Sequence, residues 1–111
     1  MVLYLLNSLI VPFEGQEAEF QIKKINFKEA RDIVNNAGNI VSAIGHSATA
    51  NILSNLLGIP VQTSRIAIYF KPGDNAIAFV LKRRLEEGQV IQTEEELNKI
   101  GYDLYYILRI R

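Results

Sequence analysis

Apolar and polar residues alternate along this chain in two rhythms, one of period two and one near 3.6, and the switches between them mark out its elements. Leu3 to Leu6 is a continuous apolar run suited to a central strand buried on both faces. Pro12-Phe13-Glu14-Gly15 breaks the chain, and Glu19-Phe20-Gln21-Ile22-Lys23 then alternates as a half-exposed strand does. Asn26 is placed to cap a helix with Glu29 in its first turn, Phe27, Ala30, Ile33 and Val34 on one face, and Gly38 as its stop. After a short apolar stretch at Ile40 and Val41, the spacing of Ala48, Ile52, Leu53, Leu56 and Leu57 predicts a second helix from Ser47 to Leu57. Gly58 and Pro60 end it.

Further on, Arg65 to Phe70 and Ala76 to Leu81 are strand-like, and Lys71-Pro72-Gly73-Asp74-Asn75 between them carries the turn chemistry of a hairpin. Thr93-Glu94-Glu95-Glu96 reads as a capping box, opening a short helix that Gly101 closes. Leu104 to Ile110 reads as a last strand, rich in Tyr and Leu. There is no internal repeat, linker or low-complexity tract. The sum is a single domain over residues 1–111 of α/β (α+β) class. It is expected to hold a mixed, mostly antiparallel sheet of about five strands flanked by about three helices, because short connections permit hairpins.

Charge changes the picture by what it excludes. The 12 basic and 12 acidic side chains cancel, so no molecule-wide basic field grips long nucleic acid and any anion site must be local. With no cysteine there is no disulfide scaffold, thiolate metal site or cysteine nucleophile. A single histidine leaves a multi-histidine metal site to several copies of the chain, although the plentiful carboxylates leave a weak magnesium site open. The apolar start, Met1 to Val11, is interrupted by Asn7 and Ser8 and is too short to span a bilayer. A cytoplasmic protein without a membrane partner is therefore expected.

Two polar clusters stand out against this scaffold. The histidine, His46, sits in Ser42-Ala43-Ile44-Gly45-His46-Ser47-Ala48-Thr49, just before the second helix. An imidazole exchanges protons near neutrality, and a helix N-terminus attracts phosphate, with Ser47 and Thr49 as added hydroxyl donors. The plainer alternative is a loop histidine bonded to a carbonyl beside an N-capping serine. The second cluster is Lys82-Arg83-Arg84-Leu85-Glu86-Glu87-Gly88, at the end of a strand-like run. If Ala76, Ala78 and Val80 share one face, Lys82 and Arg84 continue it, and Arg84, held by a nearby carboxylate, can stabilise charge on a phosphoryl group. The alternative is a solvated charge run that guards a strand end. Asn7 and Ser8 either line a cleft at the end of the sheet, where open α/β folds place ligands, or begin the turn toward Pro12.

In this order the two clusters resemble the small viral ring nucleases that act as type III anti-CRISPR proteins, a family known from crenarchaeal viruses with relatives in bacteria and phages. The matching stretches are Tyr4-Leu5-Leu6-Asn7-Ser8, Ser42 to Thr49, Asn51 to Gly58, Ser64-Arg65-Ile66, Arg84-Leu85-Glu86-Glu87-Gly88 and Ile100-Gly101-Tyr102. The resemblance implies a homodimer that binds cyclic tetra-adenylate across its interface and cuts it, without metal or cofactor, into linear di-adenylates. That would silence type III CRISPR signalling in the host cytoplasm. It also implies His46 as general acid, Arg84 as the phosphate-contacting residue and Glu87 as its positioning carboxylate. Asn7, Ser8, Ser47, Thr49 and Arg83 would contact the ligand. Some members place a serine a few positions after Ser8, where this chain has Ile10 or Val11.

Two other readings stay open at this level. One is a non-catalytic dimer that binds nucleic acid or nucleotide through Arg65, Lys82, Arg83 and Arg84. The other is an interaction protein that dimerises through Tyr102, Tyr105 and Tyr106. The enzymatic reading makes one geometric demand: imidazole and guanidinium must line a shared, phosphate-sized hollow at a two-fold seam.

Overall fold

Among the described residues, eight elements follow one another as β1 (Leu3–Leu6), β2 (Phe20–Lys24), α1 (Phe27–Asn36), β3 (Ile40–Ser42), α2 (Ser47–Leu57), β4 (Asn75–Leu81), α3 (Glu94–Ile100) and β5 (Tyr102–Arg109). They come from a computed structural model that describes residues 2–85 and 90–111. The strands form one sheet in the order β2-β5-β4-β1-β3. β1 runs parallel to both β3 and β4. β5 runs antiparallel to β4 and β2 in longer ladders, reaching from Asn75↔Leu108 to Leu81↔Tyr102 and from Phe20↔Arg109 to Lys24↔Tyr105. The sheet is therefore mixed and antiparallel over most of its paired length.

Strand alternation sorts the apolar residues into two clusters, one per face. Leu3, Leu5, Ile77, Phe79 and Leu104 meet the buried residues of all three helices, among them Phe27, Ala30, Leu53, Leu57 and Leu97. On the opposite face, Leu6, Ala76, Ala78 and Ile107 are covered by Ile68 and Phe70, with Val11 and Phe13 beside them. Helices thus close one face, and irregular chain closes the other. Arg109, 4% exposed, binds that covering to the sheet. Its guanidinium donates to the carbonyls of Phe70, Glu17 and Arg111 and lies over the Phe13 ring.

Local signals set the helix ends. Asn26 and Glu29 form the reciprocal capping box of α1, with the Asn26 Oδ1 accepting from the Glu29 N–H at 2.8 Å. α1 ends at Asn36 with Ala37 as its C-cap, one residue before the glycine expected to stop it. α2 spans the expected residues and closes on Gly58 at φ +73°, a left-handed conformation that glycine adopts without a Cβ clash. Thr93 caps α3, accepting from the Glu96 N–H at 3.2 Å, and Gly101 closes it. Among the described residues no helix is long and apolar enough to cross a membrane.

One expectation fails. Arg65 to Phe70 is not a strand, and Lys71 to Asn75 does not join a hairpin. Both edges of β4 are already taken, by β1 and β5, so the preceding segment has no edge to pair with. It lies instead across the sheet face, touching strand-like geometry only at the Phe13↔Phe70 bridge. Ile68 and Phe70 point inward while Ile66 and Tyr69 face out, which produced the misleading alternation. The turn itself is real: the Asp74 carboxylate accepts from the Lys71 N–H at 2.9 Å and from the Val2 N–H at 3.0 Å.

Candidate functional site

Parallel topology brings the two polar clusters together. Leu5 pairs with Ser42 and Leu6 with Ala78, so β1, β3 and β4 all end at one edge of the sheet. Chain leaving those carboxyl ends carries Asn7 after β1, His46 after β3 and Lys82 to Leu85 after β4. Ligands in open sheets with parallel strands gather at such an edge.

A hollow of about 770 Å³ opens there. Its polar wall is Asn7, His46, Thr49, Lys82, Arg83 and Arg84, and its apolar wall is Ala48, Phe79, Val80, Leu81 and Leu85. Small-molecule sites run from about 300 to 1,000 Å³. In a chain of zero net charge, three cations and an imidazole thus face one cavity, and no carboxylate stands among its described lining residues. The local field suits an anion.

His46 is the N-cap of α2 in extended geometry, φ −124° and ψ 125°. Its carbonyl accepts from the Ala50 N–H at 3.0 Å, while its side chain does not cap the helix. In α1 and α3 a side-chain oxygen takes up a first-turn N–H, whereas the residue at that place in α2 is an exposed imidazole. The first-turn N–H groups of α2 therefore lack the side-chain cap their counterparts have.

The other expected site residues divide. Thr49, largely buried, lines the hollow, as does Asn7. Ser47 is the first helical residue and faces solvent, outside the lining. Ser8 lines a different, smaller hollow of about 170 Å³, with Leu6, Ile10, Pro12 and Tyr69 around it, and Asn7 stands between the two. Strand alternation stops at Leu81, so Arg84 does not continue a β4 face. Arg83 and Arg84 are both exposed, and both line the larger hollow. Glu87, with Glu86 and Gly88, lies outside the described residues.

Lys82, expected from the sequence only in the basic patch of the binding alternative, lines the hollow as well. Its N–H donates to the Gly101 carbonyl at 2.9 Å, and its methylene stem lies against Gly101, where a Cβ would come within 3.1 Å of Lys82 Cδ. That contact comes from residues far along the chain, so the sequence near Lys82 does not reveal it. The tyrosines of β5 are engaged within the chain. Tyr102 packs on Phe27 and Phe79, Tyr106 accepts from Asn75 Nδ2 at 2.9 Å, and Tyr105 joins the cluster opposite the helices. Burial raises the Tyr102 hydroxyl pKa, with Glu94 adding to it, and burial with Asp74 and Glu14 does the same to Tyr4. Both hydroxyls stay protonated at neutral pH and neither lines the hollow. No group of three or more metal-ligating side chains occurs among the described residues.

Residues 3–104 match the model of a family described as STIV B116-like. ORF117 of Acidianus two-tailed virus is 52% identical over 112 residues, spanning all of this chain and 96% of that protein. Protein 26 of Sulfolobus islandicus filamentous virus is 40% identical, over 94% of this chain and 88% of its own length. The solved structure of B116 from Sulfolobus turreted icosahedral virus superposes with a TM-score of 0.83, covering 96% of this chain and 97% of that one. At 23% identity this speaks for the fold.

Proposed function

From a chain that belongs to the STIV B116-like family, with relatives in archaeal viruses, we propose a metal-independent ring nuclease. It would cut cyclic tetra-adenylate to linear di-adenylates and so counter type III CRISPR signalling. The observation that carries this reading is the shared hollow, where His46 and Arg84 arrive from separate strand ends onto one cationic cavity.

RNA supplies its own nucleophile. Held in line, the ribose 2′-oxygen attacks the adjacent phosphorus, the bond from phosphorus to the 5′-oxygen breaks, and a 2′,3′-cyclic phosphate forms. The 2′-hydroxyl proton leaves to solvent, and the departing 5′-oxygen takes a proton from the protonated His46 imidazole. Arg84 holds the non-bridging oxygens as charge builds on them, steadied by Glu87. Asn7, Thr49 and Arg83 hold the rest of the ligand. A two-fold homodimer suits a ring of four identical nucleotides, because it presents two equivalent imidazoles to opposite phosphates. Two cuts then yield two dinucleotides.

The test is an incubation of the protein with labelled cyclic tetra-adenylate in the presence of a chelator. Linear di-adenylate ending in a 2′,3′-cyclic phosphate is expected, at a rate the chelator does not change. A folded protein that leaves the ring intact overturns the proposal. Arg84→Lys is expected to slow turnover about tenfold or more although charge is kept, because the planar fork is lost. An unchanged rate in single-turnover assays removes Arg84 from the mechanism.

The run of three adjacent cations, Lys82 to Arg84, also favours a second reading, a viral dimer that binds nucleic acid or nucleotide without chemistry. A salt-dependent gel shift on ordinary DNA, with no ring cleavage, would select it.

A further inference from the structure

The His46 side chain makes no cap hydrogen bond to its own helix, and the short turn from Ser42 carries it to the hollow. That turn is clamped from one side by residues 62–65. The Ser64 N–H donates to the Ile44 carbonyl at 2.8 Å, Ser42 Oγ donates to the Gln62 carbonyl, and Ile44 bridges Thr63. The last contact in the clamp is Arg65, whose Nε–H donates to the Gly45 carbonyl at 3.1 Å. Its stem also presses on the Gly45 backbone: a Cβ there would stand 3.2 Å from Arg65 Cγ and 3.7 Å from Nε. Gly45 has no side chain where Arg65 needs the room, and Arg65 grips the peptide that immediately precedes the imidazole.

We infer that Arg65 is a positioning residue for His46, acting through the Gly45 carbonyl. The inference rests on the ring nuclease reading above. It concerns the Nε–H and the stem of Arg65, while the positive charge of the side chain is incidental. A general acid must stand within hydrogen-bond reach of the leaving oxygen, and a displacement of about 1 Å can cost roughly a hundredfold in rate. Releasing the Gly45 peptide frees the turn to move on that scale. Arg65 is exposed, so its replacement leaves the core intact.

Three substitutions separate donor from charge. Arg65→Lys keeps the cation but puts a methylene where Nε stood. Arg65→Gln drops the cation but puts an amide N–H at the same place along the side chain. Arg65→Ala removes both. With cyclic tetra-adenylate, the alanine and lysine variants should lose about ten- to a hundredfold in kcat with KM unchanged, and the glutamine variant should keep most of the wild-type kcat. Rescue by lysine and not by glutamine, or a raised KM at constant kcat, would show a charge contact to the ligand and overturn the inference. So would wild-type kinetics in all three.

A second readout does not need catalysis. His46 is the only histidine, so its imidazole gives a single Cε1–H NMR signal. That signal should move in the alanine and lysine variants and return in the glutamine variant. A signal unmoved in every variant overturns the inference whether or not the ring is cut. A wild-type protein that cuts no ring, yet shows this pattern of shifts, sinks the ring nuclease reading alone.

Discussion

Replacing His46 by alanine is expected to slow cleavage of cyclic tetra-adenylate by roughly 10²–10⁴-fold, the usual contribution of a positioned general acid. The 5′-oxygen is a poor leaving group without a proton, and His46 is the one imidazole among the described lining side chains of the hollow. Its exposed position at the start of α2 means that the variant should fold and melt as the wild type does. Ring binding should persist, because Lys82, Arg83 and Arg84 remain. Single-turnover rates and a separate binding isotherm check both halves. Normal cleavage ends the acid assignment. Loss of binding together with cleavage makes His46 a ligand contact.

The largest effect on stability is expected at Phe79, which forms part of the wall of the hollow and is 0% exposed. Its ring lies 6.2 Å from that of Phe27 and 5.8 Å from that of Tyr102, and those two lie 5.4 Å apart. One strand, one helix and the last strand therefore meet at a single aromatic cluster. Phe79→Ala removes the transfer free energy of the ring and leaves a cavity that β4, paired on both edges, cannot close. The cost should be about 3–5 kcal/mol. A domain of this size has about 5–15 kcal/mol to lose, so the melting temperature should fall by more than about 10 °C. Urea unfolding with an unchanged slope would attribute the loss to the native state. A cost below about 1 kcal/mol would mean that the cluster does not hold the core together.

The site was legible in part, for identifiable reasons. Ser42 to Thr49 and Lys82 to Gly88 announce themselves because packing does not demand polar groups there. Ser47 follows the N-cap His46 as the first helical residue and stands outside the lining of the hollow, a placement the residue pattern does not show. Asn7 and Ser8 share the smaller hollow at the end of β1, but only Asn7 also reaches the larger, cationic one. What does not show locally is where Lys82 and Arg65 are aimed. Gly101 aims the one and Gly45 receives the other, and each partner lies about twenty residues away along the chain.

The residue pattern alone settled β1, the extent of α2, both capped helix starts, the left-handed stop at Gly58 and the lack of a molecule-wide charge. Apart from the charge balance, which is a sum over the whole chain, each of these rests on interactions within a few residues, where side-chain type and backbone preference act directly. Strand partnership was decided only in three dimensions. That β4 lies between β1 and β5 leaves Arg65 to Phe70 no edge to join, and β1 being parallel to both β3 and β4 brings His46 and Arg84 to one cavity. Such pairing depends on burying both faces of the sheet at once, a free energy shared by residues far apart in the chain and invisible to any one stretch of it.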